Sequence, residues 1–330
     1  MAFIEVEAEF YERRRDSVVC TLCPNRCLIK EGGMGKCRGR RLRNGVLIAE
    51  NYGRIASIAI DPIEKKPLYH FYPGSKIMSV GTYGCNMSCT HCQNHRISQE
   101  PVFQFHETDP KGLIDICHEQ GTDSLAFTYN EPSVWYEFIR DVTEYDTDMR
   151  YVMVTNGYIE SRPLEVLCDR IDAMNIDVKA FTEGFYHEVC DARLKTVLRN
   201  CEEVFRKGVH LELTYLVIPT KNDTEEEFKG FADWVCDSLS CDVPVHFTRF
   251  HPDNRMTYIG PTPIDTLRNA ERIAREAGLQ NVYLGNIRES AVTSCPGCGR
   301  SLITRMCGYV DSELRRPACP HCGRELYIRL

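Results

Sequence analysis

From residue 76 onward, apolar β-branched runs alternate with helix-like segments, and this alternation constrains the fold of the 330-residue chain more than any other feature. The runs lie at 76–80, 124–128, 151–155, 173–178, 211–217 and 244–248. Helical patterns fall near 109–120, 133–146, 162–170, 183–207, 223–239 and 262–278. Asp109-Pro110 and Asp223 stand where helices should start. Strands alternating with helices at this interval predict a parallel sheet of βα units, either a partial barrel or a doubly wound sheet. In a (β/α) barrel the chemistry gathers at the C-terminal ends of the strands.

The loop after the first run is Gly84-Cys85-Asn86-Met87-Ser88-Cys89-Thr90-His91-Cys92-Gln93-Asn94. Its C-x3-C-x2-C spacing offers three thiolates, which can hold three irons of a cubane [4Fe–4S] cluster. A ferredoxin needs a fourth cysteine, and none follows nearby. One iron is then left open, as a catalytic metal keeps an open position. The ligand that radical chemistry supplies there is S-adenosylmethionine, chelated through its amino and carboxylate groups.

The same strand-end rule nominates further residues. The second run ends in Thr128-Tyr-Asn130-Glu131-Pro132, where Asn130 and Glu131 can accept from an ammonium group. The third ends in Val154-Thr-Asn156-Gly157, an amide beside a glycine that permits close backbone approach. The fourth ends in Asp177-Val-Lys179, whose period of two puts both charges on one side. There Lys179 could pair with a carboxylate and Asp177 with a hydroxyl. The fifth and sixth end in Ile218–Asp223 and Phe247–Asp253.

Eighteen cysteines are many for such a chain. The N-terminus, Met1-Ala-Phe-Ile-Glu-Val-Glu, does not read as an export signal, and no apolar run approaches the roughly 20 residues that span a bilayer. Metal ligation is therefore favoured over disulfides, in a reducing and anaerobic cytoplasm. Cys20, Cys23, Cys27 and Cys37 form a closed quartet, C-x2-C-x3-C-x9-C, for structural zinc or an auxiliary iron–sulfur cluster, with zinc the first expectation. Cys295, Cys298, Cys319 and Cys322 form paired knuckles that match a zinc ribbon, for partner docking or for capping the C-terminus. Cys117, Cys168, Cys190, Cys201, Cys236, Cys241 and Cys307 are scattered and read as buried small hydrophobes or free thiols.

These readings divide the chain into a Cys-rich extension at 1–75, a partial barrel at 76–290 and a ribbon at 291–330. Within the extension, 46–50 and 55–60 read as the two arms of a β-hairpin. A net charge of −7 argues against a general nucleic-acid surface, although Arg38-Gly-Arg-Arg41 is a local basic patch.

Taken together, the chain resembles the radical SAM component of the AmmeMemoRadiSam system and, more broadly, the pyruvate formate-lyase activating enzymes. The resemblance rests on the N-terminal quartet, Asp61-Pro-Ile-Glu-Lys-Lys-Pro-Leu-Tyr-His-Phe71, Gly84–Asn94, Thr128–Pro132, Val154–Gly157 and Asp177–Lys179. It continues through His246–Asp253 and Tyr283-Leu-Gly-Asn286 to the ribbon. It implies a partial (β/α)6 TIM-like barrel rather than a doubly wound sheet. It implies Cys85, Cys89 and Cys92 as cluster ligands, with Asn130, Glu131, Asn156, Asp177 and Lys179 around S-adenosylmethionine. It also implies a low-potential donor such as ferredoxin or flavodoxin, and a substrate that is a protein residue or, second, a small metabolite. Two positions depart from the activating enzymes: Tyr129-Asn130-Glu131 stands where Gly-Gly-Glu is common, and His95 where an aromatic such as Trp is expected. Arg305-Met-Cys-Gly308-Tyr309 resembles the radical-bearing loop of glycyl radical enzymes, but between zinc knuckles it reads as a ribbon turn. A non-catalytic iron–sulfur or zinc adaptor is the competing class; as an electron carrier it would need a fourth cysteine on the cluster.

Overall fold

The computed structural model describes residues 5–101, 104–306 and 308–330. Its central sheet contains β1 (Lys76–Gly81), β2 (Ser124–Phe127), β3 (Arg150–Thr155), β4 (Ala173–Asp177), β5 (His210–Val217), β6 (Val245–Arg249) and β7 (Val282–Gly285). These strands are all parallel and lie side by side in chain order. The six expected strands are present; β7 adds a seventh from a run too short to stand out by pattern. Ser57–Pro62 pairs antiparallel with β1 and forms the opposite edge from β7. The main helices are α1 (Pro110–Glu119), α2 (Tyr136–Tyr145), α3 (Ser161–Cys168), α4 (Leu194–Arg206), α5 (Glu225–Ser238) and α6 (Ile264–Glu276).

Parallel strands covered by helices are buried on both faces, which is why they read as unbroken apolar runs. Leu125, Ala126 and Phe127 of β2 are all inaccessible to solvent. The helices instead bury one stripe: in α4 this is Val197, Cys201 and Val204, at helical spacing. Asp109 caps α1 by accepting from Gly112 N at 2.7 Å. At α5 the cap is Thr224, not Asp223; Thr224 Oγ1 accepts from Glu227 N at 3.2 Å. Asp223 closes the preceding turn, accepting from Thr220 N at 2.8 Å.

The helical pattern at 183–207 is interrupted. A π-type turn covers Tyr186–Cys190, and Asp191 adopts the left-handed conformation with φ of 54° before α4 begins. Such turns often mark sites, and here it carries Cys190 toward the loop after β1: Ser88 N donates to Cys190 O at 2.9 Å.

Several expectations about the N-terminal region and the cysteines are corrected. Residues 46–50 and 55–60 do not pair as a hairpin. Val46–Ala49 pairs with Arg40–Arg43 across Asn44-Gly45, both at positive φ, which is the turn chemistry a two-residue hairpin requires. Arg54–Ile55 pairs instead with His106–Glu107. Arg38–Arg41 is not a basic surface patch, because strand alternation turns Arg40 inward onto Glu137 at 2.5 Å. Cys236 and Cys241 form a disulfide rather than standing as free thiols; the turn after α5 brings their Cα atoms to 4.3 Å. Cys117, Cys168, Cys190 and Cys201 are buried and free, as expected, while Cys307 lies outside the described residues.

Residues 291–330 carry a three-stranded antiparallel sheet, Ala291–Ser294, Ser301–Met306 and Tyr309–Ser312. Of the glycyl-radical look-alike, Arg305 and Met306 lie on one strand of it and Tyr309 on the next, with Met306 opposite Tyr309. Cys295–Cys322 and Cys298–Cys319 approach to 3.5 and 3.8 Å. Four thiolates around one zinc at 2.3 Å should lie about 3.8 Å apart, so this quartet has the dimensions of a zinc site.

Beneath the sheet, Glu212 of β5 is fully buried and accepts four hydrogen bonds. They come from Tyr69 N at 3.0 Å, His70 N at 2.6 Å, His210 Nε2 at 3.2 Å and His246 Nε2 at 2.7 Å. Burial pushes its carboxyl up, but the hydrogen bonds from His210 and His246 bring it well below the usual carboxylate range. A depressed folded-state pKa contributes stability above the unfolded value of about 4.3, lost as pH falls below it. Glu212→Gln should therefore lower the urea midpoint at pH 7 by the equivalent of roughly 2–3 kcal/mol. The deficit should shrink below about pH 4; a pH-independent deficit would assign the loss to packing alone.

Candidate active site

The cysteine loop leaves the C-terminal end of β1 through Gly84. Its φ is 91°, and a Cβ there would lie 2.0 Å from Cys37 O, so both conformation and contact require glycine. Cys92 N donates to Cys89 O at 3.3 Å, and Cys85, Cys89 and Cys92 border one space. Met87 N donates to Cys85 Sγ at 3.4 Å. The loop is braced from behind: Asn254 Nδ2 donates to Cys89 O at 3.3 Å, Arg255 to Ser88 O at 2.8 Å, and Gln99 Nε2 to Cys89 O at 2.8 Å.

Cys85, Cys89, Cys92, Asn130, Glu131, Asn156, Asp177 and Lys179 all line one cavity of about 360 Å³ at the C-terminal ends of β1 to β4. Their hydrogen bonds, however, divide the work differently from the sequence reading. Asn130 Oδ1 accepts from Thr82 N at 3.1 Å and its Nδ2 donates to Gly84 O at 2.9 Å, so its amide ties β2 to the cysteine loop. Glu131 accepts from Ser133 N at 3.0 Å, Thr155 Oγ1 at 2.7 Å and Asn156 N at 2.8 Å. It locks β2 to β3, and burial pushes its carboxyl up despite these donors. Asn156 Nδ2 approaches Cys85 Sγ at 3.6 Å and donates to Asn86 Oδ1 at 2.9 Å. Asp177 and Lys179 pair with each other at 2.8 Å instead of separately. Burial works against the Lys179 ammonium, yet Asp177, Cys89 and Cys190 outweigh it and hold its pKa well above the ordinary value.

Cys190 packs its thiol against Cys89. It is fully buried and does not line the cavity, so among the described residues no fourth cysteine faces the space before the three sulfurs. His91, between two of the cysteines, is buried with Nδ1 lacking a partner, and burial lowers its pKa to about 3. Three converging thiols, a roomy cavity and an unsatisfied buried nitrogen suit a cluster with one open corner plus a chelating ligand.

Residues 79–235 match the family model of the Radical SAM superfamily. These residues form a Radical SAM domain. A radical SAM domain implies a [4Fe–4S] cluster and S-adenosylmethionine, and the protein is an enzyme of oxidoreductase type. The uncharacterized protein MJ0808 of Methanocaldococcus jannaschii is 44% identical over 306 residues, covering 91% of each chain. In fold, the radical SAM domain is similar to a radical SAM methyltransferase from Sphaerobacter thermophilus, with a TM-score of 0.51 and 14% identity over 65% of this chain and 67% of that one. It is also similar to Streptococcus suis SuiB bound to its precursor peptide SuiA, with a TM-score of 0.50 and 13% identity over 68% of this chain and 51% of that one. No helix among the described residues is long and apolar enough to cross a membrane.

Other lining residues of this cavity escaped the sequence reading. Lys65, Lys66, Tyr129, Thr214, Leu216, Thr248 and Asn286 all line the cavity. Asp61 Oδ2 accepts from Lys66 Nζ at 2.8 Å and from Tyr129 Oη at 2.9 Å. Tyr129 itself is held at φ of 73°, an uncommon conformation for a bulky residue. The Asp61–Phe71 motif could have signalled this, but nothing in its spacing says that it folds over the barrel mouth. Of the later strand ends, Asn222 braces the Lys179 backbone at 2.6 Å rather than lining the cavity.

Proposed function

We propose that Cys85, Cys89 and Cys92 hold the [4Fe–4S] cluster and that Asn130, Glu131, Asn156, Asp177 and Lys179 shape the S-adenosylmethionine site. The observation that carries this is that Cys85, Cys89 and Cys92 together line the strand-end cavity, with no fourth cysteine lining it among the described residues. When bound, the reduced cluster and S-adenosylmethionine supply a 5′-deoxyadenosyl radical that takes hydrogen from substrate. The chain's own part is positioning. Glu131 and Asn130 fix the strand ends, the Asn156 amide lies against Cys85, and the Lys179–Asp177 pair presents a cation and a carboxylate to the cavity.

The substrate on this reading is a protein residue, in the manner of activating enzymes and in keeping with the resemblance to the AmmeMemoRadiSam component. A second cavity of about 410 Å³ supports it, because it shares Lys65, Pro67, Thr248 and Asn286 with the first. That cavity runs out beneath the exposed Met306 and Tyr309. SuiB, of similar fold, has been solved with a precursor peptide. The reductant is a low-potential ferredoxin or flavodoxin, in the cytoplasm. Anaerobic reconstitution with iron and sulfide, then dithionite and S-adenosylmethionine, should release 5′-deoxyadenosine. A fully reconstituted, reduced protein that releases none would be a non-catalytic metalloprotein.

A further inference from the structure

The chain carries three sets of cysteines, and their sulfur spacing differs. Among the described residues, only Cys295, Cys298, Cys319 and Cys322 place three or more donor atoms all within 4.8 Å of one another. The cluster loop, Cys85, Cys89 and Cys92, does not, and neither does Cys20, Cys23, Cys27 and Cys37. Yet backbone contacts gather this N-terminal quartet: Cys20 N donates to Cys27 O at 3.0 Å, and Arg26 N, beside Cys27, donates to Cys23 O at 3.1 Å. Cys20, Cys23 and Cys37 are buried. Cys27 Sγ accepts from Lys36 N at 3.4 Å. Lys36 precedes Cys37, so this contact brings the fourth cysteine to the other three.

Size separates the candidate metals. One tetrahedral zinc would hold four sulfurs about 3.8 Å apart, close to the 3.5 and 3.8 Å found in the ribbon quartet. A cubane gives each sulfur its own iron corner and holds them farther apart. The N-terminal quartet is convergent but wide, like the cluster loop and unlike the ribbon. We propose that Cys20, Cys23, Cys27 and Cys37 ligate a second, fully coordinated [4Fe–4S] cluster rather than the structural zinc that the spacing first suggests. Its place in the fold fits an auxiliary cluster. Cys37 O touches Gly84 beside Cys85, and Asn25 Nδ2 donates to Asn86 O at 2.6 Å. Lys36 also pairs with Asp191, next to Cys190, at 2.7 Å.

The test removes the first cluster and counts what remains. The full-length Cys85→Ala/Cys89→Ala/Cys92→Ala variant, reconstituted anaerobically with iron, sulfide and zinc, should keep about four irons and four sulfides per chain and about one zinc. Dithionite should give it the low-temperature electron paramagnetic resonance signal of a reduced [4Fe–4S] cluster. Iron near zero overturns the proposal, whether zinc rises to about two per chain or stays at one. Cys23→Ala/Cys37→Ala in the otherwise native chain should lose half the iron and no zinc; loss of one zinc with iron unchanged would equally refute it. If this variant does not fold, the first still decides. The readout is metal content, so failure of the radical SAM ligand assignment, read as absent 5′-deoxyadenosine, is distinguishable from failure of the second cluster.

Discussion

Cys85→Ala is expected to reduce 5′-deoxyadenosine release to the background of protein-free dithionite and S-adenosylmethionine, while Cys117→Ala leaves it unchanged. The contrast is informative because both cysteines are well packed. Cys117 is a fully buried thiol on α1, which faces the sheet and no cavity, and burial raises its pKa to about 11. It behaves as a small hydrophobe, and Cys→Ala there removes one sulfur's worth of packing. Cys85 lines the cavity, faces Cys89 and Cys92, and has the Asn156 amide against its sulfur. Losing one of three ligands leaves too few to tether a cubane with an open corner. Equal activity in the two variants would refute the ligand assignment. Cys190→Ala is the sharper control: its thiol touches Cys89 but lies behind it, so iron content should be retained. Iron lost with Cys190 would make it a fourth ligand and remove the open corner.

The largest expected effect on stability lies at Arg40 and Glu137. Arg40 is 1% exposed, its Nη2 meets Glu137 Oε1 at 2.5 Å, and its Nη1 donates to Glu9 O at 2.5 Å. Glu137, on α2, also accepts from Glu9 N at 2.8 Å, so a single carboxylate joins the N-terminal strands to the barrel. Glu137→Ala leaves a guanidinium in the interior with no counter-charge, and should cost about 3–5 kcal/mol in chemical denaturation. Arg40→Met/Glu137→Leu should recover most of that loss, since an apolar pair avoids burying either charge. If the double variant is as unstable as the single one, the bonds to Glu9 rather than the ion pair hold the two parts together.

Much of this protein was readable before any coordinates. The six strand runs at 76–80 through 244–248 and the cysteine loop are local patterns: periodicity and ligand spacing act over a few residues, and the backbone obeys them. The Asn44-Gly45 turn is equally local: the apolar runs at 46–50 and 55–60 suggest two arms, but the turn chemistry joins Val46–Ala49 to Arg40–Arg43 instead. Whether three cysteines line one cavity, which side of Arg40 is buried, and that Cys190 reaches Cys89 from a broken helix 101 residues on, depend on packing between distant segments. So does the fate of Asn130 and Glu131, whose side chains bind their own strand ends rather than stand free. Residue types and their spacing determined by themselves what the chain can ligate and where its sheet begins. Tertiary structure alone decided how far apart the ligands stand, because the sulfur-to-sulfur distances that separate zinc from a cubane are set by contacts between segments, not by the number of residues between cysteines.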